Sequence, residues 1–257
     1  MKEIKILNLI PIIKTDSLAP EDTEARIRMN QFLQEQTNGL VRLDSVFIDK
    51  GSSALESAYH VAVSVPYIMA KAKWAEKNGY DAVVLDCFMD PGLDECREIL
   101  RIPVLGACQS ACSLAMRLAG RFSVMMTTES CERGISDLLR KYHAAGNNVP
   151  AEALNIRVLD LYQNPQAVIE RVVELGMECV RRGKVRALIL GCTSMSDYTK
   201  PISEALAERG CDILVIDPWR AAVYDAVACV LMGVSQSKLA YQLVSGNEER
   251  LDFEILQ

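Results

Sequence analysis

Short apolar runs rich in β-branched residues alternate with helical patterns along the whole chain, and this alternation constrains the fold most strongly. We predict eight strands from these runs, at residues 4–9, 41–48, 82–86, 104–107, 122–126, 156–161, 187–190 and 213–216. Strands that alternate with helices are typical of a parallel α/β fold. Residues 82–85 and 187–190 are apolar throughout, which indicates central strands covered on both faces.

Several helices carry clear start signals. Asn164-Pro165 and Asp217-Pro218 each offer a capping residue followed by proline at the first helical position. Between residues 55 and 72 apolar residues recur every three or four positions, which predicts a long helix with one apolar face. We expect Pro66 to kink or split that helix.

Composition restricts the classes of protein to which this chain can belong. A chain of 257 residues that is half apolar can bury a sizeable core. No apolar run approaches the roughly 20 residues of a membrane span, and the first residues lead into a strand pattern instead of a signal peptide. A net charge of −6 disfavours nucleic acid as a partner. We therefore expect a cytoplasmic protein that binds neither membrane nor nucleic acid.

The nine cysteines are an odd number without CxxC spacing, so we expect reduced thiols instead of a disulfide framework. The two histidines, His60 and His143, lie far from paired-ligand spacing, so we expect no metal. Six cysteines lie on helical patterns or before a strand and are expected to be packing residues: Cys96, Cys112, Cys131, Cys179, Cys211 and Cys229.

The other three, Cys87, Cys108 and Cys192, follow predicted strands, and the carboxyl ends of parallel strands are where such sheets bind ligands. Residues 81–87 and 185–192 repeat one pattern, in which a strand leads to a cysteine and then to a polar turn that opens a helix. Position alone does not exclude Cys108, although a second cysteine one turn later is equally typical of helix packing.

Two opposed cysteines suit proton transfer at a carbon next to a carbonyl. One thiolate removes the proton from one face, and the opposing thiol returns a proton to the other face. An ordinary cysteine is only a few per cent thiolate at neutral pH. We therefore expect the helix that follows each candidate cysteine to lower the pKa of its thiol.

Four segments resemble hydantoin racemases of the aspartate/glutamate/hydantoin racemase family. They are residues 51–57, residues 79–93 with Cys-Phe-Met-Asp-Pro-Gly-Leu at 87–93, residues 121–128, and residues 190–195 with Gly-Cys-Thr at 191–193. The resemblance spans about residues 4–222, and it selects Cys87 and Cys192 over Cys108.

The resemblance implies two pseudo-symmetric lobes, each a mostly parallel sheet flanked by helices, with the active site between them. Residues 1–105 and about 220–257 would form the first lobe, and residues 106–219 the second. It also implies a cofactor-independent racemase that acts on a small molecule and forms a homo-oligomer. Cys87 and Cys192 would be catalytic. The residues assigned to substrate binding are Asn8, Ser52, Ser53, Phe88, Thr127, Thr128, Thr193 and Ser194.

The sequence also departs from that family. Hydantoin racemases usually have Asn-Pro-Asn-Ser/Thr after the first strand, whereas this chain has Asn-Leu-Ile-Pro-Ile-Ile at 8–13, which predicts an apolar substituent on the substrate. Ser52 replaces a usual proline, and Gln109 and His60 stand where acidic residues are common. We interpret His60 as a partly buried packing residue.

The substrate implied is a 5-substituted hydantoin or a related small carbonyl compound, but other activities of the same fold stay open. One alternative is an arylmalonate decarboxylase-like enzyme, which would keep only the second cysteine, and another is a maleate isomerase-like enzyme. An aspartate or glutamate racemase is disfavoured because Met195 and Ser196 stand where glutamate racemases often carry histidine. A non-catalytic ligand-binding protein with incidental thiols is the least favoured alternative.

Overall fold

Two parallel sheets flanked by helices form the fold, which confirms the predicted α/β class. A computed structural model describes residues 3–16 and 20–244. The first sheet has the order β2-β1-β3-β4 and the second the order β5-β6-β7. The strands are β1 (Ile4–Ile10), β2 (Val41–Phe47), β3 (Ala82–Leu85), β4 (Val104–Gly106), β5 (Phe122–Met125), β6 (Ala187–Leu190) and β7 (Leu214–Ile216).

Eight α-helices within the described residues cover these sheets. They are α1 (Pro20–Gln36), α2 (Ala58–Lys77), α3 (Leu93–Ile99), α4 (Ala107–Leu118), α5 (Glu132–Lys141), α6 (Pro165–Gly183), α7 (Thr199–Glu208) and α8 (Pro218–Met232). Three short 3₁₀ helices lie at Glu129–Cys131, Val158–Asp160 and Thr193–Tyr198. No helix of this described part combines the length and the apolar character that crossing a membrane requires.

The predicted strand at residues 156–161 is wrong. Near the end of β5 the chain makes isolated backbone hydrogen bonds and no ladder. The Leu154 N–H donates to Met126 O, and the Ile156 N–H donates to Thr127 O. The chain then turns into the 3₁₀ helix at Val158–Asp160, and the Val158 N–H donates to the Glu56 side chain. Its apolar residues therefore pack against the core without joining a sheet.

The helix starts at residues 164 and 217 are confirmed, since the Asn164 side chain accepts from Ala167 N and Asp217 accepts from Trp219 N and Arg220 N. The long helix predicted from residue 55 begins later, at Ala58, where Ser57 caps it. Pro66 lies inside α2 without splitting it. The lost backbone hydrogen bond is outweighed because the buried face of α2, including Ile68 and Ala72, packs under the first sheet.

The last described helix, α8, packs against the first sheet although it follows the second sheet in sequence. Trp219, Ala222 and Val223 lie in one core cluster with Ile6 and Val84. The segment after α8 continues along the same lobe, because the Gln236 amide donates to Leu100 O and Ile102 O. Residues 245–257, which the sequence prediction placed in the first lobe, lie outside the described residues.

Candidate active site

Cys87 and Cys192 lie just beyond the carboxyl ends of β3 and β6, one on each sheet. Both residues are half-buried, in contrast to the fully buried Cys96, Cys108 and Cys112. A cleft of about 570 Å³, part of it open to solvent, is lined by both Cys87 and Cys192. The two sheets therefore each bring one cysteine to a shared cavity.

The cleft gathers six of the side chains that the sequence selected: Cys87, Phe88, Thr127, Cys192, Thr193 and Ser194. Cys192 directly precedes the 3₁₀ helix at Thr193–Tyr198, so the strand, the cysteine and the polar turn occur as predicted. Thr193 Oγ1 donates to the carbonyl oxygen of Asp86, 3.3 Å away, which joins the two cysteine-bearing loops.

Four predicted binding residues do not line the cleft. Asn8 is fully buried, and its side chain bonds to Ser45, Asp86 and Trp219. Ser52 turns its hydroxyl to the carbonyl oxygen of Ala54 in its own loop.

The other two are Ser53, which is half-buried, and Thr128. The Thr128 hydroxyl lies 2.9 Å from that of Ser130 and 3.5 Å from the Cys131 sulfur. The interpretation of His60 as a packing residue agrees with its position, since its Nδ1 accepts from Glu56 N and the ring does not line the cleft.

Three charged or thiol-bearing residues of the cleft were missed by the sequence analysis. They are Arg26, Asp86 and Cys131. Arg26 Nε lies 2.8 Å from Asp86 Oδ2, and both side chains are almost completely buried. Asp86 was available to prediction as the neighbour of Cys87, whereas no local signal links it to Arg26, 60 residues earlier.

Part of the cleft wall is apolar. Ile10, Pro11 and Ile12 line it from the segment at the end of β1, and Leu55 and Val158 join them. The apolar residues that replace the usual polar motif at 8–13 therefore reach the cleft.

Burial raises the pKa of the Cys87 thiol well above its ordinary value of 9.0. Cys192, Asp90 and Asp86 raise it further as negative neighbours, and the Met89 N–H, which donates to the sulfur, only partly opposes them. The expectation of a lowered pKa is therefore wrong for Cys87. Burial dominates, and α3 begins only at Leu93, six residues after Cys87 in the sequence.

Asp90 links the loop that carries Cys87 to the start of α4. Its carboxylate accepts from the backbone N–H groups of Cys108 and Gln109 at the start of α4 and from the Tyr142 hydroxyl. Burial raises the pKa of Asp90 to about 6, although these three donors oppose the shift. This arrangement assigns Cys108 to the first turn of α4, where it is buried and lies 4.0 Å from the Cys112 sulfur.

Gly191 allows the loop that carries Cys192 to lie close to the end of β5. Its N–H donates to Met125 O at 2.9 Å, and a Cβ added to it would lie 2.6 Å from that oxygen and 3.2 Å from Met126 Cα. Both are backbone atoms of the neighbouring strand end, so they cannot move aside as a flexible side chain would. The motif Gly-Cys-Thr therefore needs glycine at its first position.

We expect Gly191→Ala to displace Cys192 and to lower the free energy of unfolding by about 1–3 kcal/mol, because backbone must shift to admit the methyl group. Misplacement of a reacting group by about 1 Å costs on the order of 100-fold in rate, so kcat should fall accordingly. Thermal unfolding and steady-state kinetics measure the two effects. Gly146→Ala is the control, since a Cβ there meets no atom within 4 Å. Unchanged stability and kcat in Gly191→Ala would contradict this role.

Comparison with known proteins agrees with this geometry. The Asp/Glu/Hydantoin racemase family matches residues 27–226 of the chain. The chain is 33% identical over 194 residues to a hydantoin racemase of Pseudomonas sp. (strain NS671), which is 74% of each protein. It is 34% identical over 188 residues to a hydantoin racemase of Rhizobium meliloti, which is 73% of this chain and 76% of the relative.

A solved structure shares the fold over nearly the full length. An allantoin racemase from Klebsiella pneumoniae superposes with a TM-score of 0.86 at 22% identity and covers 99% of both chains. Two half-buried cysteines at equivalent strand ends, an extended family match and relatives above 30% identity lead to one assignment. The chain belongs to the Asp/Glu/Hydantoin racemase family and is an isomerase of the racemase type.

Proposed function

We propose that this protein racemises small carbonyl compounds, without a cofactor, by proton transfer between Cys87 and Cys192. The observation that carries the proposal is that both thiols line one cleft, each delivered by a different sheet. A planar carbanion held between them can gain or lose a proton on either face. Opposed placement is what inversion of a stereocentre requires.

In one direction the Cys192 thiolate takes the proton from the substrate carbon, and the electron pair of the C–H bond delocalises onto the adjacent carbonyl oxygen. The Cys87 thiol then gives its proton to the opposite face, so Cys87 becomes the thiolate. The reverse reaction exchanges these roles. Thr127, Thr193 and Ser194 border the cleft, and we propose that they bind the polar atoms of the substrate.

We propose a 5-substituted hydantoin or a closely related cyclic compound as substrate. The relatives named hydantoin racemase support this class, and the apolar wall of Ile10, Pro11 and Ile12 supports an apolar substituent at the stereocentre. A decarboxylase-like activity is less well supported, because it would need only Cys192. An amino acid carries a less acidic proton, and Met195 and Ser196 stand where glutamate racemases often carry histidine.

We also propose the lobe division of residues 1–105 with about 220–257, and 106–219, which the packing of α8 on the first sheet supports. Three contacts join the two proposed lobes: Thr193 to Asp86 O, Val158 N to Glu56, and the Arg28–Asp197 ion pair. None of the nine cysteines, all of which lie in the described part of the chain, forms a disulfide, and this supports a reducing, cytoplasmic setting. We expect a homo-oligomer, and the exposed Leu231 and Met232 offer apolar surface for it; sedimentation measures the state.

The test is to incubate single enantiomers of 5-substituted hydantoins with the protein in deuterated water. We expect optical rotation to decay to zero and deuterium to enter mainly the inverted product, because the proton added comes from the opposing thiol. Mass spectrometry after chiral separation measures the label. Release of carbon dioxide or conversion of a cis diacid would indicate the sister activities. Equal early labelling of the unreacted enantiomer would contradict transfer between two opposed groups.

A further inference from the structure

Asp86 has an unusual place in the cleft. It directly precedes Cys87, lines the same cavity, and is 3% exposed. Its Oδ2 accepts two hydrogen bonds, from Asn8 Nδ2 and Arg26 Nε, each at 2.8 Å. Its Oδ1 is buried and has no hydrogen-bond partner in the part of the chain that the structure describes.

The surrounding network fixes which oxygen is left. Trp219 Nε1–H donates to Asn8 Oδ1 at 2.9 Å, so the amide of Asn8 must turn its NH₂ group towards Asp86. Arg26 is held in turn over the Trp219 ring, 5.5 Å from its centre. A rotation of the carboxylate that satisfied Oδ1 would release one of these two donors. The network therefore fixes Asp86 Oδ1 as the oxygen that lacks a donor.

A buried carboxylate oxygen without a donor is costly, and buried polar atoms of proteins are nearly always hydrogen-bonded. Asp86 is one of the residues that line the cleft, although its side chain is completely buried, so a ligand bound in the cleft is the nearest source of the missing donor. Arg26 already supplies a cationic donor to Asp86 Oδ2, so Oδ1 does not require a second cation. The donor that suits Asp86 Oδ1 is a neutral N–H or O–H group.

Resting on the proposed function, we propose that Asp86 Oδ1 accepts a hydrogen bond from the substrate N–H that adjoins the reacting carbon. Asp86 and Cys87 are consecutive residues, so this acceptor lies beside the thiol that exchanges the proton. Cyclic amides and ureides with N–H at that position satisfy Oδ1. N-alkylated compounds leave it unpaired, and a substrate carboxylate at this point would meet a second carboxylate oxygen.

Asp86→Asn tests this assignment by reversing the polarity of one atom. The two donors, Asn8 and Arg26, will hold the amide oxygen, so the variant presents NH₂ to the cleft in place of an acceptor. We expect wild type to prefer a 5-substituted hydantoin over its 1-methyl derivative by about 100-fold in kcat/KM. In Asp86→Asn we expect kcat/KM for the parent to fall about 100-fold and the preference to shrink to about threefold or less.

Asp90→Asn is the matched control, because it also removes a buried carboxylate near Cys87 but does not line the cleft. Its preference for the parent over the 1-methyl compound should equal that of wild type, whatever its absolute rate. Equal losses on both compounds in Asp86→Asn would show a merely structural role and overturn the proposal. So would a wild-type protein that uses both compounds equally well.

Failure of the proposed function would look different. Neither compound would then be racemised by wild type, and calorimetric binding of the parent and its 1-methyl derivative becomes the measurement. Tighter binding of the parent by wild type, lost in Asp86→Asn, would support the acceptor role alone. Absence of that difference, or of any binding, would overturn it.

Discussion

Serine at either Cys87 or Cys192 is expected to lower kcat for racemisation by about 10³- to 10⁴-fold. General acid–base groups contribute about 10²- to 10⁴-fold each, and an alcohol neither ionises nor donates as readily as a thiol. Because the two cysteines act in one cycle, the double variant should be little worse than either single variant. Polarimetry with each enantiomer of the substrate measures the loss.

Hydrogen exchange without inversion separates a catalytic role from a structural one. A protein that keeps only Cys192 can still remove and return the proton on one face, so it should exchange the hydrogen of one enantiomer with retention. The variant that keeps only Cys87 should exchange the other enantiomer. Proton NMR in deuterated water detects this complementary pattern, which a misfolded or distorted cleft would not produce.

Cys211→Ser is the control for this series, since Cys211 is half-buried like the two candidates but does not line the cleft. It should keep wild-type kcat. Substantial racemisation by either Cys87→Ser or Cys192→Ser would contradict the two-thiol mechanism. Loss of exchange for both enantiomers in a stably folded single variant would also contradict it.

The fold could be predicted from the sequence where hydrogen bonding and burial act together. The segments at 82–85 and 187–190 are apolar throughout because each is a central strand between two neighbours in its sheet. Residues 156–161 carry similar apolar side chains, yet their N–H groups bond to Thr127 O and to the Glu56 side chain. Apolar composition indicates that a segment is buried, but it does not indicate which groups form hydrogen bonds with its backbone.

The site, too, could be predicted only in part. Strand-end position reduced nine cysteines to three, and the family resemblance chose Cys87 and Cys192, which the cleft unites. The Arg26–Asp86 pair escaped prediction because it joins a helix to a strand end across 60 residues. Asn8 was expected to touch substrate, but its side chain instead orients Asp86. A motif identifies the residue type, while the burial of its neighbours determines what that residue contacts.

A second large effect is expected in the dependence of rate on pH. Catalysis needs one thiolate and one thiol, so kcat/KM follows the fraction of enzyme in which the pair has lost a single proton. While both thiols are protonated, each unit of pH multiplies that fraction by about ten, which gives about 100-fold between pH 5 and 7 for ordinary cysteines. Stopped-time assays across this range measure the slope.

The falling limb of the same profile depends on Cys87. Activity is lost when both thiols are ionised, and the pKa of Cys87 is raised well above 9.0 by burial and then by the charges of Cys192, Asp90 and Asp86. We therefore expect no decline in kcat/KM below about pH 9. Asp90→Asn removes one of these charges, so it lowers the pKa of Cys87 and moves the falling limb to lower pH.

The two enantiomers provide an internal check on this argument. They have equal free energy in achiral solution, so their kcat/KM values must be equal at every pH, even though one is deprotonated by Cys87 and the other by Cys192. A decline between pH 7 and 9 that is shared by both enantiomers would mean that the second thiol ionises there, against the expected effect of burial. A decline that Asp90→Asn leaves in place would show that the carboxylate does not act on Cys87, because the loss of a negative neighbour must favour its thiolate.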